Sequence, residues 1–300
     1  MKLFDRLVAR SLPLVPKPLV RHFADKYIAG ETLDEAVAVV RRLNGEGAMA
    51  TVDVLGEDTL VRADAEAMVV EYSNVLDAIH RERLDCNISI KLTAFGLKFD
   101  KAFCLENVLQ LAAKAHGLGI FLRIDMEDSS CTDDTLEIFR RAHERFGMVG
   151  PVIQAYMRRS RADIERLLAI PGINVRLCKG IYNEPAAVAF KDKEEVRASY
   201  RALLEQLIDG GAYPGIATHD DVLVDAAMKK LAAAKLDRSR YEFQMLLGVV
   251  PDLRRRIIAA GHRLRVYVPY GRNWYGYSVR RLKENPQMAG HVLRSVFRRK

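Results

Sequence analysis

Cysteine is scarce in this 300-residue chain: there are four, Cys86, Cys104, Cys131 and Cys178, and no two form a C-x-x-C pair. Their spacing excludes a zinc-finger framework or a thioredoxin-type redox pair and is consistent with reduced thiols in a cytoplasmic setting. No apolar run approaches the roughly 18 residues of a membrane span. The first twenty residues carry Pro13, Pro16 and Pro18 in their most apolar part and no small-residue cleavage site, so a secretory leader is not expected. A Walker lysine loop is missing. Gly45-Glu46-Gly47-Ala48-Met49-Ala50 spells G-x-G-x-x-A, but it precedes an apolar run instead of following one and opening a helix, so it lacks the mechanics of a dinucleotide turn. There is no H-x-H pair. The acids and histidine of 125–128 and 218–221 share the strand ends with Lys91 and Arg176, whose charges repel a cation, so no metal is expected. Aromatic residues are not interleaved with basic ones, which removes the stacking platforms that nucleic-acid binding uses.

What is present is a repeated pattern. Eight short apolar runs, at 50–54, 88–91, 120–125, 151–154, 173–176, 213–219, 241–246 and 264–267, alternate with stretches of helical periodicity at 64–80, 102–118, 133–146, 161–168, 193–207, 221–235 and 251–260. Strand and helix in strict alternation call for a parallel sheet with crossover helices. Eight such units in one uninterrupted chain fit an α/β fold of the closed (β/α)8, TIM-barrel type. Gly119, Gly147 and Gly261 stand where helices should stop. Ahead of the barrel, residues 1–46 read as a helical extension in which Thr32 caps a helix over 33–43, with Gly45 beyond its end. Residues 47–300 read as the catalytic barrel, closed by a C-terminal helix over its mouth. The net charge of +8 is densest from Arg280 to Lys300 and attracts anions without choosing among them.

In a barrel of this type the active site gathers at the carboxyl ends of the strands, where Lys91, Asp125, Gln154, Arg176, His219 and Tyr267 fall. The last segment is the most specific. If 274–284 is helical, Tyr277, Arg280, Arg281 and Glu284 share one face, and two guanidiniums beside an acid and a phenol suit one carboxylate. A solvated surface helix is the alternative. After the fifth run, Arg176 and Lys179 are delivered beside Gly180, which permits close backbone approach to a phosphate or an electron-rich ring. An ion pair with an acid of a neighbouring strand is the competing account. His219 reads as a hydrogen-bond donor to a bound cofactor, or as a histidine satisfied inside the barrel.

These pieces resemble the proline dehydrogenases in their short, monofunctional bacterial form. The matching segments are Ser89-Ile90-Lys91-Leu92-Thr93, Ile124-Asp125-Met126-Glu127, Val152-Ile153-Gln154-Ala155-Tyr156, Arg176-Leu177-Cys178-Lys179-Gly180, Ala217-Thr218-His219-Asp220, Phe243-Gln244-Met245-Leu246-Leu247-Gly248 and Tyr277-Ser278-Val279-Arg280-Arg281-Leu282-Lys283-Glu284, in the family's order. The resemblance implies a barrel that holds FAD non-covalently and oxidises L-proline to 1-pyrroline-5-carboxylate. It implies that Arg280, Arg281 and Lys91 bind the proline carboxylate, that Glu284 and Asp125 hold these cations, and that Tyr267 and Tyr277 wall the ring. Gln154, Arg176, Lys179, Gly180, Thr218 and His219 match the family's flavin contacts, and Lys193 is placed near the FAD phosphates. One departure is Ile181, where the family commonly has alanine; its bulk bears on the proline pocket.

Hydride transfer to flavin N5 and a membrane quinone as acceptor follow from the same resemblance. The basic C-terminus and amphipathic N-terminus suit peripheral contact with an anionic bilayer from the cytoplasm. A separate pyrroline-5-carboxylate dehydrogenase is the expected next partner. The rival readings are a Schiff-base aldolase using Lys91 or Lys179, and a non-catalytic, membrane-associated anion-binding barrel.

Overall fold

Each of the eight apolar runs is a parallel strand paired with the strands before and after it, and the first pairs with the last, closing the sheet on itself. The computed structural model describes Arg21, residues 24–275, Tyr277 and Ser278. The strands are β1 (Met49–Val54), β2 (Cys86–Ile90), β3 (Leu122–Ile124), β4 (Val149–Gln154), β5 (Asn174–Cys178), β6 (Tyr213–Ala217), β7 (Glu242–Leu246) and β8 (Leu264–Tyr270). The helices between and before them are α1 (Leu33–Gly45), α2 (Arg62–Arg81), α3 (Lys101–Gly117), α4 (Thr132–Phe146), α5 (Ser160–Leu167), α6 (Lys193–Asp209), α7 (Asp221–Ala233) and α8 (Pro251–Ala259). The expected (β/α)8 barrel is therefore the fold. Of the helix expected over 274–284, Trp274, Tyr275, Tyr277 and Ser278 are helical, while Arg280, Arg281 and Glu284 lie outside the described residues.

Seam closure is the most extensive pairing, running in register from Met49 opposite Arg265 to Val54 opposite Tyr270. The strand backs pack under the helices in one large apolar core. α1 shows how the preface joins it. Thr32 caps the helix in a reciprocal capping box with Glu35. Ala36, Val40 and Leu43, at i, i+4 and i+7, face β1 and β8 and are fully buried. Full burial of a side chain such as Val40 or Leu43 contributes ~1.5–3 kcal/mol. Gly45 is still helical; the left-handed position is Gly47, two residues on, at φ 79°. The segment before α1 ties onto the seam. Ala29 N–H donates to the Pro269 carbonyl at 2.8 Å and Gly271 N–H to the Gly30 carbonyl at 3.0 Å. Ala24, Tyr27, Ile28, Leu55 and Tyr277 form a second small core.

Strand limits differ from the sequence reading in a way that matters for the site. Lys91 and Asp125 lie one residue past β2 and β3, whereas Arg176 and Tyr267 lie within β5 and β8, and β8 runs on to Tyr270. What these four share is inward orientation, set by the two-residue period of the strands.

Candidate active site

Alternation fills the barrel with a column of polar groups. β1 sends in Asp53, β2 leads from Ser89 to Lys91, β3 from Arg123 to Asp125, β7 from Glu242 to Gln244, and β8 from Arg265 to Tyr267, while β5 adds Arg176. Lys91 Nζ donates to Asp53 Oδ1 at 2.6 Å and to the Tyr267 hydroxyl at 3.0 Å, and lies 3.6 Å from Asp125 Oδ2. Asp125 Oδ1 accepts from Arg176 Nη1 and Ser89 Oγ, both at 2.6 Å, and its Oδ2 accepts from the Tyr267 hydroxyl at 2.9 Å. The Tyr267 ring lies under both cations, 5.7 Å from Lys91 Nζ and 5.4 Å from the Arg176 guanidinium carbon.

Burial and charge set the protonation states. Burial alone would strip the Lys91 proton, but Asp53 and Asp125 overcome it and raise the ammonium above its ordinary range. Burial likewise opposes ionisation of Asp125, yet Arg176 and Lys91 prevail and hold its carboxyl below the usual value. Asp53 is pushed the other way, by burial and then by the neighbouring Asp125 charge, against the pull of Lys91. The Tyr267 hydroxyl is raised well above its ordinary value, first by burial and then by Asp125 and Asp53, so it remains a donor. A Lys91 held toward its charged form is a poor amine nucleophile, which counts against the Schiff-base reading at this residue.

Among the residues expected beside a flavin, Arg176 is buried. Its Nε donates to Gln244 Oε1 at 2.5 Å and its Nη1 is held by Asp125, but Nη2 is buried without a partner among the described residues. Gln154, the last residue of β4, donates through Nε2 to the carbonyls of Met126 and Glu127 at 2.8 and 2.9 Å, and its Oε1 is also buried without a partner among the described residues. A ligand bearing both an acceptor and a donor would satisfy these two atoms. Gly180 adopts φ 100°, and a Cβ there would come within 2.1 Å of the Tyr156 ring, so only glycine fits. Lys179 pairs with Asp220 at 3.2 Å, and Thr218, buried just past β6, accepts from the Asp220 N–H at 3.2 Å. Burial opposes the ionisation of Asp220, but bonds from Arg197 and the charge of Lys179 hold its carboxyl at about 2. His219 Nε2 accepts the Leu246 N–H at 2.8 Å, so its neutral ring carries the proton on Nδ1.

Lys91, Asp125, Tyr267 and Arg176 are thus drawn into one network. Tyr277 is buried near it, close enough that each phenol opposes ionisation of the other. Lys193 opens α6 as an exposed residue and Ile181 is half exposed, neither sharing a hydrogen bond with the network among the described residues. Asp53, Ser89 and Gln244 belong to the network and were not picked out from the sequence. The missing signal was the inward phase of each strand: residues two apart from Lys91, Glu242 or Asp125 should have been read together with them, not only the last polar residue of each run.

Comparison with known proteins agrees with this picture. Residues 36–294 match the sequence model of the family described as Proline dehydrogenase. The chain is similar to Proline dehydrogenase 1 of Bacillus subtilis subsp. natto, with 36% identity over 276 residues, 92% of this chain and 91% of that one. It is equally similar, at 36% over 282 residues and the same coverages, to Proline dehydrogenase of Deinococcus radiodurans. Among solved structures it resembles proline utilization A from Bdellovibrio bacteriovorus inactivated by N-propargylglycine, with a TM-score of 0.83 and 26% identity, over 88% of this chain and 33% of that one.

Proposed function

The chain belongs to the proline dehydrogenase family, and from that premise we propose that it oxidises L-proline to 1-pyrroline-5-carboxylate with a non-covalently bound FAD and a quinone as electron acceptor. The observation that carries the flavin part is the pair of buried polar atoms, Arg176 Nη2 and Gln154 Oε1, that have no partner among the described residues, together with the tight glycine turn at Gly180. A flavin bears acceptors and an N–H donor on one edge, which suits an orphaned guanidinium and an orphaned amide oxygen. Arg176, Gln154, Lys179, Gly180, Thr218 and His219 would hold it, with Lys193 toward its phosphates.

Bound FAD supplies the two-electron acceptor for the hydride that leaves the ring carbon next to nitrogen. The chain's part is to aim and to neutralise. Lys91, together with Arg280 and Arg281, would fix the carboxylate, with Glu284 and Asp125 holding these cations. Tyr267 and Tyr277 would wall the pyrrolidine ring. Positioning of this kind is worth ~7–11 kcal/mol. Lys91 and Arg176 also disfavour a third cation, so the substrate amine is pushed toward its neutral form, whose lone pair helps expel the hydride. The product would pass to a separate pyrroline-5-carboxylate dehydrogenase. None of the described helices is long and apolar enough to cross a membrane, and we place the protein in the cytoplasm, peripheral to the bilayer that holds its quinone.

The absorption spectrum of the purified protein under argon tests the reading. The expectation is a flavin spectrum that bleaches on adding L-proline and returns on adding a soluble quinone. A colourless protein that does not take up FAD, or a flavin band that proline leaves untouched, would overturn it.

A further inference from the structure

Arg176 is held on two sides by different chemistry. On one side its Nη1 meets the Asp125 carboxylate; on the other its Nε meets a neutral amide oxygen, that of Gln244. The far end of the same amide donates through Nε2 to Glu242 Oε1 at 2.6 Å. Glu242 is itself saturated deeper in the barrel by Arg265, at 2.7 Å to Oε1 and 3.1 Å to Oε2, and by the Tyr213 hydroxyl at 3.0 Å. An amide has one accepting and one donating end, so a cation on one side and a carboxylate on the other leave it a single orientation.

Room for that amide is reserved. Gly215 lies in β6 between β5 and β7, and a Cβ there would come 2.6 Å from Gln244 Nε2 and 3.1 Å from its amide carbon. A glycine in a strand interior costs stability and marks a close approach. Two independent features, a bond at each end and a vacated side chain alongside, therefore converge on this one amide.

We propose that Gln244 is a positioning residue for the redox reaction: it pins the Arg176 guanidinium without adding a second counter-charge to that of Asp125, so that Nη2 faces the cofactor. A carboxylate at 244 would hold Arg176 as well but would set a second negative charge against it beside Asp125 and would confront Glu242. A shorter or apolar side chain would release Nε. The amide passes on the rigidity of the Glu242–Arg265 pair and withholds its charge. This rests on the flavin reading above.

The test is the reduction potential of the FAD-loaded protein, measured by spectroelectrochemistry in three variants of unchanged fold as judged by urea unfolding. Gln244→Met keeps the length and removes both bonds; Gly215→Ala keeps every polar group and displaces the amide. Both are expected to disfavour the reduced flavin about tenfold, a fall of ~30 mV for a two-electron couple. Arg176→Met should lower the potential at least as far. If Arg176→Met leaves the potential unmoved, the flavin reading fails at Arg176. If Arg176→Met lowers it while Gln244→Met does not, the role of Gln244 is overturned. Should Gln244→Met fail to fold, Gly215→Ala decides by the same criterion.

Discussion

Asp53 and Asp125 are the same residue type on neighbouring sides of one lysine, and the barrel drives their carboxyls in opposite directions. The difference lies in the cations each meets among the described residues: Asp125 has Arg176 as well as Lys91, whereas Asp53 has Lys91. Lys91 is therefore the group on which the charge of Asp53 depends. Lys91→Met should destabilise the protein by about 3 kcal/mol, because it strands a buried carboxylate. Adding Asp53→Leu should return much of that loss, giving a coupling above ~1 kcal/mol in a double-mutant cycle by urea unfolding. Strict additivity of the two substitutions would show that the pair is not coupled. Neither the pairing nor the importance of Asp53 was readable from the sequence, since Asp53 sits inside an apolar run and its partner is 38 residues away.

At the scale of elements, local chemistry was the most legible. Thr32 and Glu35 announce a helix start three residues apart, and the structure makes both halves of the box. Glu35 does more than the motif requires. Its Oε2 accepts from the Glu31 and Thr32 N–H groups at 2.8 and 2.9 Å, and Gly30 leaves space that a Cβ would take from its carboxylate at 2.5 Å. Glu35→Ala should cost ~1 kcal/mol and speed hydrogen exchange at residues 31–36 while leaving α8 protected. Unchanged exchange in that window would contradict the cap. Helix ends at Gly119, Gly147 and Gly261 were readable for a similar reason, as each adopts positive φ. Strand ends were not, because an apolar run marks burial and says little about where backbone pairing stops; β3 keeps three residues of a six-residue run.

For the whole molecule, the repeat of strand and helix was enough to expect a closed barrel, but the content of its interior was not. The register that stacks Arg265, Glu242, Gln244, Arg176 and Asp125 emerges only when all strands are placed. One consequence is acid sensitivity at the barrel floor. Burial opposes the ionisation of Glu242, but Arg265 outweighs it and holds the carboxyl at about 2, below its unfolded value. A depressed carboxyl stabilises the fold above its unfolded pKa, and that contribution is lost as pH falls from about 4.5 toward 2. Glu242→Gln should therefore be less stable than the parent by about 3 kcal/mol at pH 7, with the gap narrowing as the pH is lowered through that window. A gap constant from pH 7 to pH 3 would exclude Glu242 as the source.

The seam between β1 and β8 has a consequence for biosynthesis. β8 is the last strand to leave the ribosome, and it brings both Arg265 for Glu242 and Tyr267 for Lys91 and Asp125. Until it arrives, the charged lumen of the first seven strands has neither its closing wall nor its full set of counter-groups, so that lumen stays open to water in the nascent chain until β8 has emerged and paired with β1.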